Sequence, residues 1–296
     1  MSLKIVEFFG VVPGVDGWHQ QAKSNACPFV GGVCQKRLHD SQPSGVCTLA
    51  AAKDPRPVIC CPIRLYANQY EILTRIALDA FGRDVQILLG GQQLQPGSRP
   101  VRIFGKDHGS ELRMVGRGVA SKFAVDWILA LLNPVGELQE FVAVEVQTID
   151  TSGNYRDQRT QLLSGNADAA PSSDAGFNWE NVSKRILPQL IYKGHVLRRE
   201  PKCRKSLYFV TPTRVSEQVR DRLGNNLMQY EPHPGSVTFH SYSLGDGVLG
   251  QRLPLIFDGA FTTTIDQLAV AFSAPTNLPR QGVFEEAIKE ALRKQQ

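Results

Sequence analysis

The chain has 296 residues, of which 42% are hydrophobic and 21% are charged, and its formal net charge is +5 at pH 7. This composition is that of an ordinary globular protein with one large domain or two smaller ones. No apolar run reaches the roughly 20 residues of a membrane helix, and Lys4 and Glu7 interrupt the place of a signal peptide. We therefore expect a cytoplasmic protein with no membrane partner. The mild positive charge suits a polyanionic partner without requiring one.

Five of the six cysteines lie within 35 residues near the N-terminus, at positions 27, 34, 47, 60 and 61. Disulfides are rare in a reducing cytoplasm, so this cluster indicates a metal site. Residues 1–65 are also rich in Gly and Pro and show no sustained helical or strand period. We predict a small, loop-rich metal-binding module with four cysteine ligands over residues 1–65, in which metal cross-links substitute for a large core.

Four thiolates can close a tetrahedral site around zinc or iron and leave no open position for chemistry, so the metal would be structural. Only one of the adjacent Cys60 and Cys61 is expected to be a ligand, because neighbouring side chains on an extended segment point in opposite directions. The gaps differ from the paired C-x-x-C knuckles of zinc ribbons. Buried free cysteines that pack as small hydrophobes are the alternative.

The remainder of the chain alternates between strand and helix patterns. Helix periodicity covers residues 66–81, where Gly82 ends it, and recurs over 178–199 with a kink at Pro188, then over 216–223, 265–272 and 283–294. Strand patterns cover residues 85–89, 101–104, 111–115, 123–132, 141–149, 207–210 and 237–242. The polar segment 150–176 is predicted to be a long loop. The fold class is therefore α/β, with a mixed central sheet flanked by helices in a domain spanning residues 66–296.

Two carboxylates interrupt otherwise apolar strands in this domain. Glu145 and Gln147 lie at positions i and i+2, on one face of a strand, and Asp126 lies upstream between apolar neighbours. Burying an unpaired carboxylate costs several kcal/mol, so a shared cation explains the pair best. Oxygen ligands of this kind hold magnesium in nucleases. A strand edge with Glu145 and Gln147 facing solvent is the alternative.

The order Asp, then Glu-x-Gln, is a variant of the PD-(D/E)xK nuclease pattern, in which Gln147 occupies the position of the lysine. A glutamine carries no charge, but its amide can orient a water molecule or a phosphate oxygen. Several further segments resemble the NotI restriction endonuclease family in the same order: residues 7–10, 27–29, 45–47, 61–62, Phe123 with 126–127, and 145–155. The agreement is strongest over residues 5–160, and a weaker echo covers 181–193.

The resemblance implies a homodimeric type II restriction endonuclease of a restriction system, which cleaves double-stranded DNA at a GC-rich palindrome by magnesium-dependent hydrolysis. It also implies iron as the structural metal. The family's metal ligands fall on four cysteines, the last of which is followed by Pro62: Cys27, Cys34, Cys47 and Cys61. Its catalytic positions fall on Asp126, Glu145 and Gln147, with Glu111 as a further acidic position.

DNA contacts are expected from the basic segment 193–205, where arginines could donate to phosphates or to guanine edges. A solvated helix end is the alternative. The N-terminal module could add contacts through Lys36, Arg37, Arg56 or Arg64. The six histidines are scattered without catalytic spacing, and no Walker loop is present, so no nucleotide triphosphate is expected.

Two other function classes stay open at this point. A non-catalytic DNA-binding regulator would keep the structural four-cysteine metal site but would not need Asp126 and Glu145 within apolar strands. A redox sensor would require reversible iron chemistry or a reactive Cys60. Magnesium-dependent cutting that is lost in Glu145→Ala distinguishes the nuclease from both.

Overall fold

The computed structural model describes residues 3–14, 18–38, 40–89, 92–106, 108–109, 112–115, 122–166, 174–224, 226–274 and 278–294. Its strands are β1 (Leu3–Phe8), β2 (Val46–Ala51), β3 (Asp54–Ile59), β4 (Val85–Leu88), β5 (Arg99–Gly105), β6 (Arg113–Val115), β7 (Lys122–Ala124), β8 (Trp127–Leu132), β9 (Leu138–Val146), β10 (Thr151–Ser152), β11 (Gly176–Phe177), β12 (Leu207–Pro212), β13 (Ser236–Leu244) and β14 (Leu255–Thr264). Its α-helices are α1 (Trp18–Lys23), α2 (Ala67–Phe81), α3 (Arg156–Leu163), α4 (Leu187–Leu197), α5 (Thr213–Leu223), α6 (Ile265–Ser273) and α7 (Val283–Lys294).

The centre of the molecule is a seven-stranded sheet with the order β14-β13-β12-β9-β8-β5-β4. β8 and β9 are antiparallel, whereas β9, β12 and β13 run parallel. The parallel crossover from β9 to β12 contains α4, as parallel strands require a long connection. The predicted mixed α/β fold is therefore confirmed.

Alternation along β9 divides the core into two layers. Val142, Val144 and Val146 pack on one face with residues of α2, whereas Ala143 packs on the other face with residues of α4, α5 and α6. A strand projects successive side chains to opposite faces, so this near-continuous apolar run buries both sides. Helices cover both faces of the sheet, as predicted.

The N-terminal segment is more ordered than its Gly and Pro content suggested. β1, β2 and β3 form a three-stranded antiparallel sheet, so the expectation of a segment without strands was wrong. β3 has no recognisable strand pattern, because its first four residues are Asp54, Pro55, Arg56 and Pro57. It tolerates these prolines because it is an edge strand that pairs with β2 alone.

This N-terminal sheet also has a core, although little core was expected there. Phe8 and Leu49 are fully buried in it, together with Tyr155 and Leu162 from far along the chain. The structure therefore packs Tyr155 and α3 against the N-terminal sheet. The division at residues 65 and 66 stays a prediction.

The polar segment 150–176 contains α3 and the short β10–β11 pair, so its prediction as a loop was wrong. Arg159 explains why hydrophobicity did not predict α3. Its side chain is buried and donates to the carbonyls of Ser44 at 3.1 Å and Pro43 at 2.7 Å. The helix is thus held to the N-terminal sheet by polar contacts as well as by Leu162.

Two other predictions are modified by the structure. Pro188 lies in the first turn of α4, after a π-helical turn over Val182–Ile186, where its missing N–H is tolerated. The predicted strand over residues 123–132 is divided into β7 and β8, and Asp126 occupies the break. β14 was not predicted.

Along the described ranges, every helix is too short or too polar to cross a membrane.

Candidate active site

The sheet register brings Asp126 beside the end of β9. Trp127, at the start of β8, pairs with Val144, so Asp126 lies next to the residues that follow Val144. Asp126 Oδ2 accepts a hydrogen bond of 2.7 Å from the backbone N–H of Val146. Asp126 and Glu145, which are 19 positions apart in the sequence, therefore lie at one end of the β8–β9 pair.

Glu145 is only 3% exposed, and its two carboxylate oxygens differ in their hydrogen bonds. Oε1 accepts from Lys193 Nζ at 2.6 Å and from Gln147 Nε2 at 3.3 Å. Oε2 is buried and has no hydrogen-bond partner among the described residues. An unpartnered buried carboxylate oxygen is costly, so the site fits a cation that Oε2 would bind.

Lys193 is the site residue that sequence reasoning misplaced. It was assigned to a DNA-contacting segment, but its side chain is 13% exposed and forms the ion pair with Glu145. The face alternation of β9 explains this contact, because Glu145 shares a face with Ala143, against which α4 packs. The helix thereby supplies the ammonium group that Gln147 lacks.

An open cleft of about 550 Å³, the active-site cleft, is lined by Val146 and Gln147, the two residues that follow Glu145, whereas Glu145 and Lys193 are not among the described residues that line it. Asp126, Gln147 and Thr148 line it together with Cys60 and Cys61 of the N-terminal segment. The cysteine-rich segment and the carboxylate strands therefore form walls of one cleft.

Aromatic side chains also line this cleft. Trp127 Nε1 donates a hydrogen bond of 3.0 Å to Tyr66 Oη, and their rings meet edge to face. Burial, and then the Asp126 carboxylate, raise the pKa of Tyr66, so its phenol keeps its proton at neutral pH. No sequence pattern singled out Tyr66 beyond its place at the start of a helical period.

The five N-terminal cysteines are all buried. The backbone N–H groups of Cys60 and Cys61 both donate to Cys47 O, at 3.0 and 3.3 Å. An antiparallel backbone bridge between Ala26 and Val33 brings Cys27 and Cys34 together.

Burial raises the pKa of three of these thiols, those of Cys47, Cys60 and Cys61. Burial raises the pKa of Cys61 to about 12, and the neighbouring thiols of Cys60 and Cys34 add to this shift. In the part of the chain that the structure describes, no three His, Cys, Asp or Glu side chains are placed to hold a metal ion. The structural metal at Cys27, Cys34, Cys47 and Cys61 therefore stays a prediction.

Most of the basic segment 193–205 lies away from the carboxylates. Lys202 Nζ donates to Leu138 O at 2.5 Å, at the opposite end of β9. At about 3.3 Å per residue, the strand from Leu138 to Glu145 spans roughly 23 Å. Among the contacts of the described residues, Lys193 alone joins this segment to a predicted catalytic residue.

Of the other expected contacts, the structure overturns one. Arg64, suggested as a DNA contact, is fully buried, and its Nε lies 2.8 Å from Glu7 Oε2, so that suggestion was wrong. Arg56 pairs with Asp54 on the surface. Glu111 lies outside the described residues.

Comparison with protein families identifies the family of the chain. The family model for the restriction endonuclease NotI matches residues 17–207, which is more than half of the chain. The chain belongs to the NotI restriction endonuclease family. The matched range contains the four predicted cysteine ligands, Asp126, Glu145, Gln147 and Lys193. Membership of the NotI family makes the chain a site-specific deoxyribonuclease that acts on double-stranded DNA. No individual curated protein matches the chain at a significant level.

Proposed function

We propose that this NotI-family chain is a type II restriction endonuclease that hydrolyses both strands of a specific GC-rich palindrome with magnesium. The observation that carries the proposal is Glu145, a buried carboxylate with one oxygen unpartnered among the described residues, beside Asp126. A DNA-binding regulator would have no use for such an oxygen. The β8–β9 pair followed by α4 and the parallel β12 supports a PD-(D/E)xK core.

Asp126 and Glu145 would hold the magnesium ion, and water and phosphate oxygens would complete its coordination. Magnesium supplies charge neutralisation at the scissile phosphate and lowers the pKa of bound water. Asp126 is oriented for this role by the Val146 N–H, which fixes one carboxylate oxygen.

Gln147 and Lys193 would together replace the lysine of the PD-(D/E)xK pattern, each with one of its functions. The Gln147 amide lines the cleft and would orient the attacking water towards phosphorus. Lys193 donates to Glu145 Oε1 and fixes the position of that carboxylate. Glu111 would add a further carboxylate.

A palindromic target requires two active sites related by a two-fold axis. A homodimer meets this requirement, because its symmetry mirrors that of the DNA and places one site on each strand. Each protomer would then cut one strand.

The cysteine-rich segment would carry one structural iron or zinc ion on Cys27, Cys34, Cys47 and Cys61. The backbone contacts that bring these cysteines together in two pairs, and the burial of all four, support this part of the proposal. Soft thiolate ligands suit either metal. Elemental analysis of purified protein should find about one iron or zinc ion per chain.

The nuclease proposal is tested by incubating the protein with a GC-rich phage genome, with and without magnesium, and sequencing the fragment ends. Discrete magnesium-dependent fragments with one common end sequence are expected. Glu145→Ala should lower the cleavage rate by roughly a thousandfold or more while DNA binding persists, because several kcal/mol of charge stabilisation is lost.

The matched control is Glu231→Ala, which removes an exposed carboxylate that does not line the active-site cleft. This variant should cut at the wild-type rate. Intact DNA with wild-type protein across many genomes would instead favour the metal-stabilised DNA-binding regulator.

A further inference from the structure

A second cleft adjoins the active-site cleft and has a volume of about 580 Å³. The two clefts share Lys36, Arg37 and Asp150 in their walls, so they are continuous on the surface. We call the second one the Arg–Asn cleft because six arginine and asparagine side chains line it: Arg37, Asn154, Arg156, Asn178, Asn181 and Arg185. The mechanism proposed above uses none of them.

Its residue types match the edges of base pairs. An arginine can donate two parallel hydrogen bonds to guanine O6 and N7, and an asparagine can bond in the same way to adenine. The carboxylate in its wall, Asp150, accepts from Asn181 Nδ2 at 2.9 Å and from Arg185 Nη1 at 3.3 Å. Since that carboxylate is neutralised, the cleft presents net positive charge.

Arg156 is the side chain best prepared to bind. It is the first residue of α3, and its backbone N–H donates to Asn154 Oδ1 at 3.0 Å. Arg159, one turn later, fastens α3 to Pro43 and Ser44. The Arg156 guanidinium is exposed and makes no hydrogen bond or ion pair with the described residues. Its helix is anchored and its guanidinium is free, so its donors are available to a ligand.

We propose that the Arg–Asn cleft reads the base pairs beside the scissile phosphate, and that Arg156 donates to a guanine. This inference rests on the proposed nuclease function. The position of the cleft supports it, because a duplex whose phosphate enters the active-site cleft extends over the adjoining wall. The asparagines add donors and acceptors that can bond to base edges, whereas they add nothing to charge neutralisation.

The test begins with the site that wild-type protein cuts, mapped by end sequencing. kcat/KM is then measured on a short duplex with that site and on duplexes in which each base pair is changed singly. Arg156→Gln should lower kcat/KM on the mapped site by roughly 10- to 100-fold and relax discrimination at one position.

Arg83→Gln serves as the matched control, since this exposed arginine follows α2 outside both clefts. It should cut with wild-type rate and discrimination. Melting temperatures of both variants establish that they are folded.

Two results would overturn the inference. If Arg156→Gln keeps wild-type kcat/KM and discrimination, the cleft does not read bases. If it weakens cleavage equally on every duplex and lowers the salt dependence of binding, Arg156 is a phosphate contact. Failure of the wild-type protein to cut at all would instead refute the nuclease proposal.

Discussion

The ammonium of Lys193 lies 2.6 Å from Glu145 Oε1 on a helix rather than on the strand of the Glu-x-Gln pattern. Lys193→Met should lower kcat by roughly 100-fold, because an oriented charge near the reacting phosphate is lost. Lys193→Arg should retain part of the activity, since it restores the charge in a different shape.

A second readout separates this role from a purely structural one. In Lys193→Met, magnesium would be the remaining source of countercharge for Glu145, so the melting temperature should rise more with added magnesium than in wild type. Equal rises, together with unchanged kcat, would exclude the role assigned to Lys193.

Another buried ion pair, Glu7 with Arg64, has no exposed surface on either side chain. Arg64 Nη2 also donates to Leu253 O, and Glu7 accepts from Thr48 Oγ1, so the pair joins distant parts of the chain. Arg64→Met should lower the free energy of unfolding by about 3–5 kcal/mol, because it leaves a buried charge without its partner.

Urea denaturation measures this effect, with Arg56→Met as the control. Arg56 pairs with Asp54 on the surface, where solvent screens the interaction, so its loss should change the denaturation midpoint little. Equal midpoints for the two variants would contradict the importance of the Glu7–Arg64 pair.

At the scale of elements, α7 is amphipathic but has no buried residue among those described. Phe284, Ile288 and Leu292 are all exposed at helical spacing. Deletion of residues 278–296 should therefore change the free energy of unfolding by no more than about 0.5 kcal/mol, because no buried contact is removed. Urea denaturation of the shortened chain checks this, and a loss above about 1 kcal/mol would mean that α7 packs on the domain.

The sequence predicted those elements whose buried faces are lined by their own apolar residues. β9 is apolar on both faces, and its interruption at Glu145 marked the site. The sequence did not predict α3, because polar contacts such as that of Arg159 hold it in place. It did not predict β3, because this strand lies at the edge of its sheet. The contact of Lys193 with Glu145 was not predicted for a different reason. Its distance from Glu145 depends on how α4 packs against the sheet, which no local pattern records.

At the scale of the whole molecule, the proposed structural metal should couple the cysteines to global stability. Cys47→Ser should abolish metal binding and lower the melting temperature by roughly 5 °C or more, as the loss of a few kcal/mol would in a chain of this size. The control is Cys203→Ser, since Cys203 is buried in the separate core formed by α4, α5 and β12. Metal content and calorimetry should distinguish the variants, and equal metal content in both would refute the assignment.

The shared walls of the active-site cleft bear on how such an enzyme can be re-engineered. Cys60 and Cys61 face the same space as Asp126 and Gln147, while Tyr155 and Leu162 complete the core of the N-terminal sheet. A cleavage unit for a programmable fusion therefore cannot be excised by trimming the chain to its central sheet. The smallest transplantable nuclease would include β1 to β3, and its own target preference would travel with it.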